Sequence, residues 1–128
     1  RLSDGRRTTI INIGVNLLFT SFWYDHQIIP AQDFTQYTED TVIYGPLCMN
    51  IDVIRESINL PLLNKGDNFV IKNVGAYNMT QWMQFINLRP RIVMIDTNGV
   101  VNVVREREKL SGLLDYELVP EHLKSFKL

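Results

Sequence analysis

The sequence has one cysteine, Cys48, and two histidines, His26 and His122, that lie far apart in the chain. A single cysteine cannot form an internal disulfide bond, which favours a reducing compartment and predicts a cytoplasmic protein. One thiol and two separated imidazoles make no credible zinc site. Apolar runs are short and interrupted by Asn, Asp or Pro, so no membrane-spanning helix is predicted. The net charge of −1 gives no electrostatic argument for nucleic acid or a membrane surface as a partner.

The length and composition fit one domain that spans residues 1–128. A chain of 128 residues can bury about two-thirds of its unfolded surface. Its hydrophobic content of 45% is ordinary for a globular protein.

Short β-branched segments, separated by Gly, Pro and Asn, predict several strands. They cover residues 8–13, 26–30, 41–44, 68–74, 91–96 and 100–104. The last two flank Thr97-Asn98-Gly99 and predict a hairpin, whereas 54–60 is ambiguous. These strands show no strand–helix–strand alternation. The sequence therefore predicts a mostly β fold, a mostly antiparallel β-barrel or sandwich with a few short helices.

Three short helical segments are expected between the strands. Residues 17–24 fit a helical turn or a buried loop. Asn78, with Gln81 three residues later, is typical of a capping box, and Met79, Trp82, Met83 and Ile86 would share one helical face. Residues 105–114 alternate in charge and predict a solvated helix.

Cys48 is the first candidate functional residue, because it follows the rigid corner Gly45-Pro46 at the end of a strand. A lone cysteine is most often a small buried hydrophobic residue, which is the alternative here. The neighbouring carboxylate of Asp52 does not favour a thiolate, so a proton donor fits better than a nucleophile. A thiol, a carboxylate and a phenol are together the parts of a proton-transfer and anion-binding site.

Tyr77 supplies that phenol, directly after Gly75-Ala76 and before the helix expected from Asn78. A helix N-terminus presents free backbone N–H groups, so the phenol could help to hold a phosphate there. The alternative is a tyrosine that only bonds the backbone of its turn. One glycine is a weak sign of a phosphate-binding loop.

Motifs along the chain resemble, in the same order, those of the C-terminal domain of pyridoxal-phosphate decarboxylases related to diaminopimelate and ornithine decarboxylase. In the first half, the matching segments are Asn12-Ile13-Gly14-Val15-Asn16, Tyr24 and Gly45-Pro46-Leu47-Cys48 with Asp52. Further on they are Lys65-Gly66-Asp67, Gly75-Ala76-Tyr77 and Asn87 with Arg89-Pro90. The resemblance extends from about residue 8 to about residue 108.

The resemblance implies that the chain is the C-terminal domain of a two-domain enzyme and that it forms an antiparallel, Greek-key β-barrel. The N-terminal (β/α)8 barrel, with the Schiff-base lysine, would lie outside this sequence, and the active site would form across a homodimer. Cys48 would be presented to the cofactor of the partner subunit and would protonate the substrate carbon there after carbon dioxide leaves. Tyr77 would contact pyridoxal 5′-phosphate and substrate, and Tyr24 would line the substrate pocket. The isolated chain is therefore expected to be inactive.

Two departures from the family motifs concern the substrate. Thr20-Ser21 replaces the Arg-Pro of the diaminopimelate enzymes, and Met49-Asn50 replaces Glu-Ser after the cysteine. Both charges that would bind the distal end of the substrate are lost. We therefore expect an amino-acid-type substrate with a neutral, larger or carrier-tethered distal end, rather than diaminopimelate, ornithine or lysine.

Two other interpretations stay open. The chain could be a freestanding, non-catalytic β-barrel binding module, or a fragment of a pyridoxal-phosphate racemase in which a tyrosine transfers the proton. A separated half-enzyme should also expose apolar surface and therefore dimerise or adhere to other proteins.

Overall fold

The computed structural model describes residues 1–34 and 37–124. The chain divides into two compact units, Arg1–Ile86 and Asn87–Leu128. The expectation that residues 1–128 act as one domain of a larger enzyme stays a prediction.

The first unit contains five strands in two sheets. They are β1 (Arg7–Ile10), β2 (Ile28–Pro30), β3 (Thr38–Tyr44), β4 (Val53–Pro61) and β5 (Phe69–Ile71). In the larger sheet, β3 lies between β1, which is parallel to it, and β4, which is antiparallel. The smaller sheet pairs β2 with β5 antiparallel. A 3-10 helix, Phe19–Phe22, lies between β1 and β2.

One hydrophobic core joins the two sheets of the first unit. Its buried side chains come from the strands and from the connections between them: Val15, Leu18, Ile28, Ile43, Leu47, Ile54 and Leu60. Phe69 and Ile71 of β5 pack against this core while remaining partly accessible. The apolar residues of the short strands therefore fix the position of the loops that follow them.

The second unit is built on the hairpin of β6 (Ile92–Ile95) and β7 (Val101–Arg105). Gly99 adopts a φ of 81° in the turn, which glycine tolerates without strain. A four-residue helix α1 (Leu110–Leu113) and a 3-10 helix (Glu121–Leu123) follow. Apolar side chains on both faces of the hairpin are exposed: Val93, Met94, Ile95, Val101, Val103 and Val104.

The structure confirms a mostly β fold with short helices, the C-terminal hairpin and the helical turn at 19–22. It assigns the ambiguous segment 54–60 to β4. The described strands form three separate sheets and do not by themselves establish a closed barrel.

The helix expected from Asn78 to residue 86 is wrong. This segment consists of turns and bends, and Ile86 has a φ of 62°, which a helix excludes. The buried Asn78 side chain bonds Thr20 and the Val74 carbonyl instead of capping a helix. A tertiary hydrogen-bond network has here overridden a local capping pattern.

The charged helix expected over 105–114 is also mostly wrong, since only Leu110–Leu113 is helical. The charged residues before this helix extend the pairing between the two arms of the hairpin. Glu106 pairs with Arg91 at 2.9 Å, and the Glu108 carboxylate accepts from the Arg89 backbone N–H at 3.0 Å. Alternating charge therefore reflects cross-strand pairing rather than a helical face.

In residues 1–34 and 37–124, no helix reaches the length and apolar character needed to cross a bilayer.

Candidate active site

Cys48 lies on the connection between β3 and β4, where the chain bends at Pro46. The preceding residue, Leu47, is 8% exposed and belongs to the core, whereas Cys48 is exposed. The buried Leu47 side chain thus attaches this connection to the core, while the adjacent thiol of Cys48 faces outward. The thiol is accessible to a ligand, as a proton donor must be.

We call this connection, residues 45–52, the cysteine corner, and the side chain of Asp52 closes it. One carboxylate oxygen, Oδ2, accepts from the Leu47 backbone N–H at 2.6 Å. The other, Oδ1, accepts from the Val15 N–H at 2.8 Å. With the residue 2% exposed, the carboxylate is an internal anchor of the corner. The sequence predicts it instead as one part of a proton-transfer and anion-binding site.

Two glycines make room for this carboxylate. A Cβ placed on Gly45 would lie 2.3 Å from both Asp52 carboxylate oxygens, and one on Gly14 would lie 2.8 Å from Oδ1. Both distances are shorter than real Cβ contacts allow. Gly14 and Gly45 are therefore needed because two backbone segments approach the same buried carboxylate closely.

Tyr77 lies in an exposed turn, residues 75–81, which we call the tyrosine turn. Its side chain is 61% exposed, and its backbone has a φ of 62°. The Tyr77 carbonyl accepts from the backbone N–H groups of Thr80 at 2.9 Å and Gln81 at 2.8 Å. The turn presents the phenol outward, but the helix N-terminus expected to hold an anion is absent.

Asn78, next to Tyr77, ties the tyrosine turn to the 3-10 helix. Its Nδ2 lies 2.8 Å from Thr20 Oγ1 and donates to the Val74 carbonyl at 3.0 Å. Thr20 Oγ1 is also 2.7 Å from His26 Nε2. Sequence reasoning missed this network, because the three polar residues meet only in the fold. No local pattern in the sequence signals this network, because Thr20 and Asn78 are 58 positions apart.

Tyr24 and Tyr77 line the same open cleft, which has a volume of about 430 Å³. Tyr24 is 57% exposed and follows the 3-10 helix, where its N–H donates to the Thr20 carbonyl at 2.9 Å. The cleft is completed by Thr20, Asp25, His26, Gln27, Asn73 and Ala76. The structure thus brings the two predicted tyrosines together. Cys48 does not line this cleft.

A second cleft, of about 560 Å³, includes Asn50 and Ile51 of the cysteine corner. Asp25 borders this cleft as well as the tyrosine cleft. Its carboxylate is 3.2 Å from Arg55 Nη1, which also donates to the His26 carbonyl at 3.1 Å. An ion pair therefore stands at the boundary of the two clefts.

A cleft of about 600 Å³, larger than either of these two, lies along β1 and the turn before β5 and contains none of the predicted site residues. Volume alone therefore does not locate the candidate site. Among the residues that the structure describes, no three His, Cys, Asp or Glu side chains are grouped as a metal site requires.

Comparison with known proteins identifies the family. A model of the pyridoxal-dependent decarboxylase C-terminal sheet domain matches residues 1–75, more than half of the chain. The chain belongs to this family. The match includes the resembling motifs from Asn12 to Asp67, whereas Tyr77 and Arg89-Pro90 lie beyond its last residue.

Similar curated proteins are named diaminopimelate decarboxylase. That of Methanothermobacter thermautotrophicus is 35% identical over 101 residues, 78% of this chain and 23% of the relative. That of Methanocaldococcus jannaschii is 32% identical and is covered over 26% of its length, with 89% of this chain aligned. The chain therefore spans about a quarter of the length of the curated relatives it matches.

Solved structures of diaminopimelate decarboxylases are also similar to this chain. The M. jannaschii diaminopimelate decarboxylase superposes with a TM-score of 0.84 at 28% identity, over 96% of this chain and 29% of that one. The Helicobacter pylori enzyme complexed with L-lysine gives a TM-score of 0.76 at 26% identity, over 85% and 27%.

Proposed function

We propose that the chain is the C-terminal domain of a pyridoxal-phosphate-dependent amino-acid decarboxylase of the diaminopimelate decarboxylase type. An N-terminal (β/α)8 barrel would complete each subunit, and the active site would form across a homodimer. The family match over residues 1–75 carries this proposal. The exposed thiol on a corner held by a buried carboxylate supports a contribution from Cys48.

Each named side chain has one task in this proposal. Pyridoxal phosphate, when bound, would supply the electron sink for loss of carbon dioxide from the substrate. Cys48 then delivers a proton to the α-carbon of the substrate. Tyr77 holds the cofactor and substrate through its phenol, and Tyr24 lines the substrate side of the same cleft.

The described residues fit one side of a cofactor site. The tyrosine cleft offers two phenols, the side-chain amides of Gln27 and Asn73, and the imidazole of His26. Lysine is not among the described residues that line it, so the cleft supplies hydrogen-bonding groups but no amine for a Schiff base. This division of groups matches a site completed by another domain.

The substrate proposed here differs from diaminopimelate at its distal end. Thr20 is buried and engaged with Asn78, and Met49 packs against the core, so neither offers a charge to a ligand. Arg55 of the neighbouring cleft is already paired with Asp25. The names of the relatives favour diaminopimelate, and measured turnover of diaminopimelate by the full-length enzyme at a typical enzymic rate would overturn this part of the proposal.

We also propose that the sheets of the first unit belong to one Greek-key β-barrel in the complete enzyme, antiparallel except for the parallel pairing of β1 with β3. The core they share supports this, because side chains of both sheets pack into it. A cytoplasmic location is proposed as well, since an exposed catalytic thiol must stay reduced.

The direct test is carbon dioxide release by the full-length enzyme and its Cys48→Ala variant. Loss of the proton donor should lower kcat by about 10²- to 10⁴-fold, the usual contribution of general acid catalysis. Trp23→Phe, near the site but outside both clefts, serves as the control and should stay close to wild type. Unchanged carbon dioxide release by Cys48→Ala would contradict Cys48 as the proton donor. Racemisation without carbon dioxide release would favour a tyrosine-dependent racemase, and absence of any pyridoxal-phosphate binding would favour the binding module.

A further inference from the structure

The Asp52 carboxylate joins two separate parts of the chain, the cysteine corner and the segment that follows β1. It accepts from Val15, which follows β1, and from Leu47, which directly precedes the cysteine. The backbone of Asp52 closes the corner too, because its carbonyl accepts from the Gly45 N–H at 2.9 Å. The backbone N–H of Leu47, the residue before the thiol, is thus held by a buried carboxylate.

We infer that Asp52 is a positioning residue for Cys48, and this inference rests on the proposed decarboxylase function. Asp52 does not touch the substrate; it acts through the backbone of Leu47. A proton donor must lie within hydrogen-bond reach of the atom that it protonates. A displacement of about 1 Å costs about 100-fold in rate. By fixing the cysteine corner, Asp52 would therefore control the rate of proton transfer from Cys48.

The geometry requires an aspartate at position 52. An asparagine has one carbonyl oxygen, so Asp52→Asn can satisfy one of the two backbone N–H groups and turns an NH₂ toward the other. A glutamate is longer by one methylene, and the close approach of Gly14 and Gly45 leaves it no room. Both changes should therefore release the corner.

Steady-state kinetics of the full-length enzyme test the inference. We expect Asp52→Asn to lower kcat by about 100-fold while KM changes little, because the proton donor is displaced but the tyrosine cleft is intact. Asp96→Asn is the matched control. Asp96 Oδ1 also accepts from two backbone N–H groups, at 2.8 and 2.9 Å, but in the C-terminal hairpin. A kcat of Asp52→Asn equal to that of Asp96→Asn would overturn the inference.

A double-mutant cycle separates positioning from a general loss of structure. If Asp52 acts through Cys48, Asp52→Asn should lower kcat by less than about threefold when Cys48 is already alanine. A purely structural role would instead impose the full loss in both backgrounds. Multiplicative losses would therefore contradict the inference.

Two further measurements keep the inference testable if Asp52→Asn folds poorly. Gly14→Ala retains the carboxylate but crowds it, and we expect a kcat loss of about 10-fold, with unchanged kcat as the contradicting result. The rate at which iodoacetamide alkylates Cys48, followed by mass spectrometry on the peptide that contains it, should change in both Asp52→Asn and Gly14→Ala. If Cys48→Ala is fully active, the proposed function fails, but unaltered alkylation rates alone would refute the anchoring of the corner.

Discussion

The cysteine corner and the tyrosine turn present the two principal candidate side chains, and they are held in different ways. Each exposes one side chain on irregular backbone and anchors it through a buried polar residue, Asp52 or Asn78. The corner is anchored by a carboxylate that accepts from two backbone N–H groups. The turn is anchored by a neutral amide, and its tyrosine has a left-handed backbone with a φ of 62°.

This difference indicates which segment is the more firmly fixed. Hydrogen bonds to an ionised group are about twice as strong as those between neutral groups. A tyrosine in the left-handed region costs about 1 kcal/mol that the surroundings must offset. We therefore expect the corner to hold Cys48 rigidly, while the tyrosine turn stores strain and adapts more readily to a ligand.

Removing the charge of the corner should have the largest effect on stability. Asp52→Asn leaves one buried N–H without an acceptor, and we expect the free energy of unfolding to fall by about 3 kcal/mol. Urea denaturation measures this change, with Asp96→Asn as control, because that carboxylate also accepts from two backbone N–H groups, but at the surface and through Oδ1 alone. Equal losses in the two variants would show that engaging both oxygens of a buried carboxylate adds nothing.

Removing the amide of the turn should cost less. Asn78→Ala leaves the Val74 carbonyl and the Thr20 backbone N–H without their partner, and a loss of about 2 kcal/mol is expected. Asn102→Ala is the comparison, since its amide makes one exposed bond to the Val100 carbonyl. A larger loss for Asn78→Ala than for Asp52→Asn would reverse the ranking of the two anchors.

The backbone strain at Tyr77 should give the smallest effect on stability, and here the substitution to glycine should be the favourable one. Glycine adopts a φ of 62° freely and alanine does not, so Tyr77→Gly should be more stable than Tyr77→Ala by about 1 kcal/mol. Because neither variant has the phenol, the difference isolates the backbone. Thermal unfolding of the two variants side by side is sufficient, and equal melting temperatures would mean that the turn is unstrained.

Local patterns predicted much of the fold correctly. The β-branched runs and the Thr97-Asn98-Gly99 turn located the strands and the hairpin, because these depend on neighbours in sequence. The helix from Asn78 failed because the same asparagine serves a partner 58 residues away. The parallel pairing of β1 with β3 could not be predicted either, since pairing depends on topology rather than on composition.

The candidate site was predictable in its residue types but not in its arrangement. Tyr24 and Tyr77 were both singled out, yet only the fold shows that they line one cleft. Asp52 was noted for its charge, and its role as an anchor follows from Val15 and Leu47, which lie on different segments. Long-range hydrogen bonds of this kind leave no periodic signal in a single sequence.

The most direct test of the central claim is complementation between two inactive forms of the full-length enzyme. One form carries Cys48→Ala, and the other lacks the Schiff-base lysine of the N-terminal barrel. If Cys48 serves the partner's cofactor, random mixing gives heterodimers with one intact site, and about a quarter of wild-type carbon dioxide release should return. No recovery after mixing, with subunit exchange verified by mass spectrometry, would contradict the account.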